Sequence, residues 1–269
     1  MNKPPAKYMG YRAADFETPW AKYFDEKMAP IQTPAREGLE RSPFPPGTIP
    51  PITEAPALAA AGYAEVENGY AMENDGSIRL AILTKMPRVA PAMWDWWFGW
   101  HGCRADRYKL WHPLAHKHAR WADGRDDDAY VGRTSMIEEY IGESLEKASI
   151  RFVSPLEMGF GPDTLELAGE QVFVCARVGY TNFPVDFGWL LHQVRRTADG
   201  AEMRSRFWFG GDGIEIRGGG VFGKPLAGLL RKIVPVPERR AHDLLVHCAE
   251  EMNHLARFLP ELHAEFGTN

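Results

Sequence analysis

The amino-acid sequence predicts an α+β fold in which a curved antiparallel sheet surrounds one long C-terminal helix. Five strand-like segments follow one another between residues 135 and 209, separated by turn-forming residues. The chain then closes with an amphipathic segment of helical spacing, residues 237 to about 259. A one-sided sheet and a one-sided helix each need an apolar partner, so we expect the two to pack on each other.

The composition is that of a folded protein and excludes several classes of function. The 269 residues are 45% hydrophobic and 12% aromatic, with 31 Lys+Arg against 36 Asp+Glu and a formal charge of −5. A nucleic-acid-binding domain normally carries a dense basic face, and the sequence has no such basic run. No run of about 18 apolar residues occurs, so no membrane-spanning segment is predicted.

The N-terminus and the cysteines indicate a reducing compartment. The first residues lack the apolar stretch of a signal peptide, so we expect a cytoplasmic protein. Cys103, Cys175 and Cys248 are widely spaced and form no CxxC pair. This pattern favours reduced thiols over a disulfide framework or a cysteine zinc site.

The first 93 residues differ in texture from the rest of the chain. Residues 42–56 are rich in proline, which lacks the backbone N–H needed for the hydrogen bonds of helices and sheets. This composition indicates an extended connector. Asn68-Gly69 and Asp75-Gly76 are strong turn signals, and residues 63–86 are predicted to form a hairpin or small sheet. We predict an N-terminal appendage over residues 1–93 and a larger domain over residues 94–269.

The larger domain opens with the tryptophan-rich run WDWWFGW at 94–100, which must be buried or lie against a ligand. The predicted strands follow at 135–141, 148–153, 171–178, 188–195 and 202–209. Asp199-Gly200 fits a hairpin turn between the last two strands. The terminal helix begins with Pro and Glu, and its apolar stripe comprises Leu244, Leu245, Cys248, Met252, Leu255 and Leu259.

Two side chains of metal-ligand type lie four residues apart on this helix. His247 and Glu251 project from one helical face that belongs to the apolar stripe, so the pair points toward the sheet. An imidazole and a carboxylate can share a divalent cation. The alternative is a histidine–carboxylate contact inside the core. Glu250 and His254 are also four apart, but they lie on a more polar face and are expected to be solvated.

A second carboxylate comes from the predicted strand 135–141. With a period of two, Glu139 shares a face with two isoleucines. If that face looks into the core, the charge needs a metal or a proton partner, and Glu139 is a better candidate than Glu138 or Glu143. A strand shifted by one residue would leave Glu139 in solvent instead.

The histidine-rich stretch at 108–118 supplies the remaining candidates, since neutral imidazole is the commonest protein metal ligand. His112 and His116 form an HxxxH pair only if the segment is helical, and Pro113 could begin such a helix. Spacing alone does not rank His112, His116 and His118. A polar loop that happens to hold three histidines is the alternative.

Familiar catalytic motifs are missing or lie in the wrong context. Residues 218–223 match GxGxxG formally, but the motif binds dinucleotides only as the turn of a βαβ unit, and antiparallel texture precedes it here. Neither a GxSxG elbow nor an HExxH motif occurs. A serine esterase or a common zinc peptidase is therefore not indicated.

An ordered set of segments resembles the diacetylphloroglucinol hydrolase family, to which phloretin hydrolase belongs. The segments are WWFGWHG at 96–102, RYKLWHPLAH at 107–116, EEYIG at 138–142, HQVR at 192–195, EMRSRFWFGG at 202–211 and HCAEEMNHL at 247–255. The resemblance implies a Bet v 1-like helix-grip domain preceded by a smaller domain associated with dimer formation. It also implies zinc-dependent hydrolysis of the carbon–carbon bond between an acyl group and a phloroglucinol ring.

Carried over by position, the resemblance places the zinc ligands at His116, Glu139, His247 and Glu251. The ligand histidine is the one eight residues after the tyrosine matched by Tyr108, which leaves His112 and His118 in supporting roles. Glu143 is the fallback for Glu139, because the family varies in length before this strand.

The resemblance also implies which residues face the substrate. Tyr108 and His192 match substrate-contacting groups and are the candidate proton donors or positioning groups. Ala119 stands where the family has an asparagine and Phe207 where it has a tyrosine, so two hydrogen-bonding groups toward a polyhydroxylated ring are missing. Trp97, in the tryptophan cluster, is expected to wall an aromatic pocket. We expect a homodimeric zinc enzyme acting on acyl phenols, with altered specificity.

The main alternative is a helix-grip domain that carries a hydrophobic or polyketide ligand without transforming it. Converging metal ligands distinguish the two, because a carrier does not need two carboxylates in an apolar cavity. A metal-dependent cyclase or decarboxylase acting on related phenols is a third reading, which the sequence does not separate from the hydrolase.

Overall fold

One large antiparallel sheet dominates the architecture. The computed structural model describes residues 10–127, 129–167, 169–233 and 236–267. Its strands are β1 (Gly69–Met72), β2 (Ile78–Pro87), β3 (His116–Trp121), β4 (Thr134–Ile141), β5 (Ser144–Val153), β6 (Gln171–Tyr180), β7 (Val185–Thr197), β8 (Gly200–Phe209) and β9 (Glu215–Ile216). The order in the sheet is β1-β2-β8-β7-β6-β5-β4-β3, with β9 paired to β7.

The helices lie before, between and after the strands. They are α1 (Thr33–Arg41), α2 (Pro91–Trp100), α3 (Ala105–Trp111), α4 (Gly220–Ile233), α5 (Glu238–Ala256) and α6 (Leu259–Phe266). Helix α5 contacts β1 and β2 near one end of the sheet order and β4 near the other. The sheet therefore curls around α5, which confirms the predicted α+β arrangement. Among the described residues, no helix is long and apolar enough to cross a membrane.

The predicted strands and turns correspond closely to the observed ones. The five predicted segments fall on β4 to β8, and Asp199-Gly200 closes the β7–β8 hairpin. The predicted hairpin at residues 63–86 is also present, because β1 and β2 pair with Asp75-Gly76 between them. The Asn68 side chain accepts a hydrogen bond from the Leu83 N–H at 2.9 Å and helps to fix this hairpin.

The sheet extends across the predicted domain boundary at residue 93. Strand β2 pairs with β8 from Ile78 to Pro87, so the N-terminal part of the chain contributes strands to the sheet that surrounds α5. The division into an appendage over residues 1–93 and a domain over residues 94–269 stays a prediction, as does a dimerisation role for the first part.

The tryptophan-rich run forms α2 and packs into the core. Trp94 and Trp97 are fully buried, and Phe98 contacts Phe152 on β5 at 5.9 Å between ring centroids. The core therefore lies between the concave face of the sheet, α2 and α5.

Candidate metal centre

Four side chains from distant parts of the sequence meet on the concave face of the sheet. His116 is the first residue of β3, and the β3–β4 register places it opposite Glu139. His247 and Glu251 lie one turn apart on α5, on the face that packs against the sheet. His116 is fully buried, and the other three side chains are 15% exposed or less.

The potential ligand atoms of these residues converge closely. His116 Nε2 lies 3.3 Å from Glu139 Oε2, 3.3 Å from Glu251 Oε2 and 3.3 Å from His247 Nε2. His247 Nε2 lies 3.6 Å from Glu139 Oε2 and 3.6 Å from Glu251 Oε2. The ligand atoms of His116, Glu139 and His247 all lie within 4.8 Å of one another.

These separations fit a small divalent cation. Ligands at 2.0–2.1 Å in a tetrahedral zinc site are separated by about 3.3–3.4 Å, and the distances among His116, Glu139 and His247 are close to that value. Glu251 lies at similar distances from both histidines but outside the group of ligand atoms that all lie within 4.8 Å of one another. Two imidazoles with two carboxylates form a donor set suited to zinc and to other borderline divalent metals. These residues could therefore hold one such ion.

Neighbouring groups orient two of the four side chains. His116 Nδ1 lies 2.9 Å from the Tyr108 carbonyl oxygen, which only accepts, so Nδ1 carries the proton and Nε2 presents its lone pair to the centre. The Tyr108 ring stacks on the His116 ring at 3.8 Å, and its hydroxyl donates a short hydrogen bond to Glu139 Oε2. Tyr108 thus holds both the histidine and the carboxylate in place.

The pKa values reflect the burial of two carboxylates among histidines. Burial, together with the charge of His247, lowers the pKa of His116 well below its ordinary value. Burial would also lower the pKa of His247, but the charges of Glu251 and Glu139 outweigh it and raise this pKa to about 9. Burial raises the pKa of Glu251 to about 8. Without a cation, the centre therefore favours the ionised form of Glu139 and the protonated form of Glu251 near pH 7.

A cavity of about 80 Å³ opens beside the centre on the concave face. Glu139, His247 and Glu251 form one part of its wall, and the rest is largely aromatic and aliphatic. The remaining lining residues are Phe98, His101, Tyr108, Trp111, Ser135, Ile137, Ile150, Phe152, Leu190, His192, Phe207 and Leu244. An aromatic compound placed here would lie against both the potential metal ligands and a few polar groups.

His192 is one of these polar groups. It projects from β7, its Nδ1 lies 2.8 Å from Ser205 Oγ, and its ring stacks on Phe98 at 5.7 Å. Phe207 on β8 meets the same ring edge-on at 5.8 Å. Burial lowers the pKa of His192 to about 3, so the imidazole is neutral near pH 7.

Ser135 is a polar group in the cavity wall that sequence reasoning missed. Its side chain is buried, and Oγ has no hydrogen-bond partner among the described residues. The period of two that pointed to Glu139 would have found it, because Ser135 lies four residues earlier on the same face of β4. A buried hydroxyl without a partner is costly, and a bound ligand could satisfy it.

Two predicted substrate contacts lie away from this cavity. Trp97 is buried behind His101, whose ring it stacks on at 5.0 Å, and His101 rather than Trp97 reaches the wall. Ala119 is buried on β3 opposite Ile137 and is not among the described lining residues. Tyr108, His192 and Phe207 do line the cavity.

The neighbouring candidates His112, His118 and Glu143 lie apart from the four converging side chains. His112 ends α3 and His116 lies in β3, so the helical HxxxH pair does not form. His112 instead stacks on His247 at 4.9 Å and contacts Glu250 at 3.3 Å, whereas His118 is exposed on β3. Glu143 lies at the surface in an ion pair with Arg239 at 2.7 Å.

The prediction that His254 is solvated was wrong. The residue is fully buried, and burial lowers its pKa to about 4. The segment before α1 covers this side of α5, where Asp25 pairs with Arg257 at 2.6 Å. Helix α5 therefore has a second buried face, although the residues of that face are polar in the sequence.

Comparisons with known proteins agree on one family. The family model described as the DAPG hydrolase PhiG domain matches residues 49–264. A 2,4-diacetylphloroglucinol hydrolase of Pseudomonas protegens is 29% identical over 97% of this chain and 89% of its own length. A phloretin hydrolase of Eubacterium ramulus is 28% identical over 98% of this chain and 96% of its own length.

Solved structures give more distant matches. Ara h 8.0201 matches 67% of this chain and 97% of its own at 11% identity, with a TM-score of 0.38. Norcoclaurine synthase from Thalictrum flavum matches 78% of this chain and 97% of its own at 11% identity, with a TM-score of 0.37.

Proposed function

Since the chain belongs to the DAPG hydrolase family, we propose that it is a zinc-dependent hydrolase that cleaves the carbon–carbon bond between an acyl group and a phenolic ring. The observation that carries this proposal is the convergence of two histidines and two carboxylates beside an aromatic-walled cavity. Relatives named 2,4-diacetylphloroglucinol hydrolase and phloretin hydrolase support the substrate class.

The proposed reaction adds water across one bond. The hydroxyl of water joins the acyl carbon, the bond from that carbon to the ring breaks, and a proton is added to the ring carbon. The products are a carboxylic acid and the deacylated phenol. A bound Zn²⁺ would polarise the acyl carbonyl as a Lewis acid and would make hydroxide available near neutral pH.

Two residues of the wall are placed to handle protons. Burial and the adjacent Glu139 carboxylate raise the pKa of Tyr108 well above its ordinary value, so the phenol keeps its proton and acts as a hydrogen-bond donor. Neutral His192 accepts from Ser205 or donates to it, and its other ring nitrogen is free to take the opposite role toward the substrate. We assign to these two groups the positioning of the substrate's phenolic oxygens by hydrogen bonds, while the proton added to the ring carbon comes from water.

Ser135 fits a role in recognition of the ring. A hydroxyl on the substrate would provide the partner that Ser135 Oγ lacks among the described residues. This contact would partly replace the hydrogen bond that the family pattern places at Phe207, which lines the same cavity. We therefore propose a hydroxylated aromatic ring as the part of the substrate held at the metal centre.

The test is product formation together with metal content. Purified protein should contain about one zinc per chain by plasma mass spectrometry, and Glu139→Ala should lose it. Incubation with 2,4-diacetylphloroglucinol or phloretin in ¹⁸O-water should place one ¹⁸O in the released acid. The matched control is Glu143→Ala, which removes a surface carboxylate four residues away.

The other outcomes are equally informative. Stoichiometric zinc with no acid released from any acyl phenol would contradict the proposed reaction and leave a cyclase or decarboxylase. Tight binding of these phenols without metal or turnover would favour the carrier.

A further inference from the structure

We propose that a second, larger cavity beside the metal centre binds the acyl chain of the substrate, so that the enzyme acts on phenols with long apolar acyl groups. This inference rests on the proposed function, because it assigns the substrate class of the same reaction. The second cavity has a volume of about 450 Å³, against about 80 Å³ at the metal centre. We call it the acyl chamber, and its apolar wall includes Tyr180, Phe187, Phe209, Ile216, Leu226 and Leu230. The chamber opens to solvent at Phe183 and Leu226, which are 63% and 47% exposed.

The acyl chamber is adjacent to the cavity at the metal centre. Phe207 lines that cavity and Phe209 lines the chamber, and the two rings lie 5.8 Å apart on the same face of β8. On the opposite side, Leu244 of α5 lines the first cavity and Arg240, one turn earlier, lines the second. The two cavities are therefore separated by a thin layer of side chains.

The local sequence of β7 makes room for this arrangement. A Cβ at Gly188 would lie 2.2 Å from Cδ1 of Phe209, so only glycine lets that ring lie against β7. The β6–β7 register shifts here, with Val178 opposite Gly188 and Gly179 opposite Asp186. Phe187 is the extra residue of this bulge, and its ring meets Phe209 at 5.2 Å.

The polarity of the two cavities indicates which part of the substrate each holds. Polar groups suited to a hydroxylated ring, namely Tyr108, Ser135 and His192, line the cavity at the metal centre. The acyl chamber presents mainly hydrocarbon, which suits an alkyl or arylalkyl chain. From His247 to Arg240 the helix rises roughly 10 Å. An acetyl group held at the metal would end short of the chamber, whereas a chain of several methylenes would reach the layer between the cavities and enter the chamber by displacing the Phe207 and Phe209 rings.

The experiment measures how activity depends on acyl length. Monoacylphloroglucinols from acetyl to octanoyl should show kcat/KM rising up to about fourfold for each methylene buried in the chamber. Leu230→Trp, which narrows the chamber, should lower kcat/KM for the octanoyl substrate at least tenfold and leave the acetyl substrate within twofold. Leu226→Trp should also lower kcat/KM for the octanoyl substrate more than for the acetyl substrate. This second variant keeps the test valid if Leu230→Trp folds poorly.

Leu229→Trp is the matched control. Leu229 lies on the same helix, is 54% exposed and is not among the described residues that line the chamber. This variant should change neither substrate. An equal loss for octanoyl and acetyl substrates, or the same loss in Leu229→Trp, would overturn the proposal.

A binding measurement separates this proposal from the proposed reaction. Octylphloroglucinol has no carbonyl to hydrolyse, and its affinity for the zinc-loaded protein can be measured by calorimetry. Weaker binding in Leu230→Trp but not in Leu229→Trp would support the chamber even if no acyl phenol is hydrolysed. Hydrolysis with no dependence on chain length would support the reaction and overturn the chamber.

Discussion

Two buried clusters of charged side chains lie on opposite faces of the sheet, and they differ in how their carboxylates are compensated. On the convex face, Glu67 accepts hydrogen bonds from Arg204 at 2.6 Å and from Arg206 at 2.5 Å. On the concave face, Glu139 and Glu251 contact only histidines among the ion-pair partners in the described residues. We refer to these as the convex cluster and the metal centre.

The convex cluster is complete within the chain. Arg204 also donates to the Gln193 side chain at 3.1 Å, and Gln193 donates to the Leu58 carbonyl at 2.5 Å. Each charged group is therefore hydrogen-bonded within the chain, and the two guanidinium groups share one carboxylate. Hydrogen bonding and pairing are the conditions under which buried charges are tolerated. The cluster ties residues 58–67 to the sheet.

The candidate metal centre does not balance its own charges within the described residues. One protonated histidine can compensate only one of two carboxylates, whereas a divalent cation compensates both. Adjacent residues of β7 contribute to opposite faces of the sheet. His192 pairs with Ser205 of β8 on the concave face, and Gln193 pairs with Arg204 of β8 on the convex face. A buried cluster whose charges are compensated within the chain stabilises the fold. A buried cluster with an uncompensated charge is a candidate binding site for a ligand of opposite charge.

The largest expected effect comes from removing a potential ligand. His247→Ala should lower bound zinc from about one per chain to almost none and reduce kcat/KM on an acyl phenol at least about 1000-fold, because the Lewis acid is lost. Plasma mass spectrometry and a turnover assay check this. Exposed His242→Ala on the same helix is the control. Full metal and activity in His247→Ala would mean that the centre is a core contact.

Breaking the convex cluster should affect stability instead. Glu67→Gln leaves two buried guanidinium groups without their carboxylate, and we expect the free energy of unfolding to fall by about 3–5 kcal/mol. Urea unfolding measures the change, and zinc content should stay the same. Glu65→Gln, at an exposed position two residues away, should have almost no effect. Loss of metal in Glu67→Gln would mean that the two clusters are coupled.

The convex cluster should also show a defined pH dependence. Burial acts to raise the pKa of Glu67, but the hydrogen bond from Arg204 and the charge of Arg206 outweigh it and lower this pKa. A carboxylate whose pKa is lowered in the folded state stabilises the fold fully at pH values above its unfolded pKa of about 4.3. This stabilisation is lost as the pH falls through the folded pKa.

The difference in unfolding free energy between wild type and Glu67→Gln should therefore be constant from pH 7 to about 5 and shrink below about 4.3. Urea unfolding at several pH values tests this. A difference that persists unchanged at pH 3 would show that Glu67 acts through packing and not through its charge.

A smaller effect is expected at the unpaired hydroxyl beside the metal centre. Ser135→Ala should lower kcat/KM on a trihydroxylated acyl phenol about tenfold, through loss of one hydrogen bond. It should have little effect on an analogue that lacks the contacted ring hydroxyl. Ser149→Ala is the control, because its hydroxyl bonds Arg217 at 3.1 Å outside the cavity. Equal losses on both substrates would exclude ring recognition by Ser135.

The smallest expected effect is a gain. Phe207→Tyr restores the hydroxyl of the family pattern beside His192, and kcat/KM on acetylphloroglucinol should rise about threefold. Phe209→Tyr places the same hydroxyl one position along this face of β8, in the wall of the acyl chamber, and should not raise it. An unchanged rate in Phe207→Tyr would mean that the ring lies elsewhere in the cavity.

Much of the fold followed from local patterns, because they report which face of an element is apolar. Strand-like segments bounded by turn residues located β4 to β8, and spacing of three and four located α5. The same patterns pointed Glu139, His247 and Glu251 toward the interior, where they lie. They failed at His254, because a helix that is covered on two sides does not show its second buried face as an apolar stripe.

By itself, the sequence determined that His247 and Glu251 share the apolar face of one helix and that Glu139 shares a strand face with two isoleucines, and only the tertiary structure decided what these side chains meet. His116 and His247 are 131 residues apart, and their contact at 3.3 Å depends on the β3–β4 register and on the position of α5 in the curved sheet. The sequence around His112, His116 and His118 contains none of that information. Backbone periodicity is a local property, whereas convergence on one point is set by packing between distant elements.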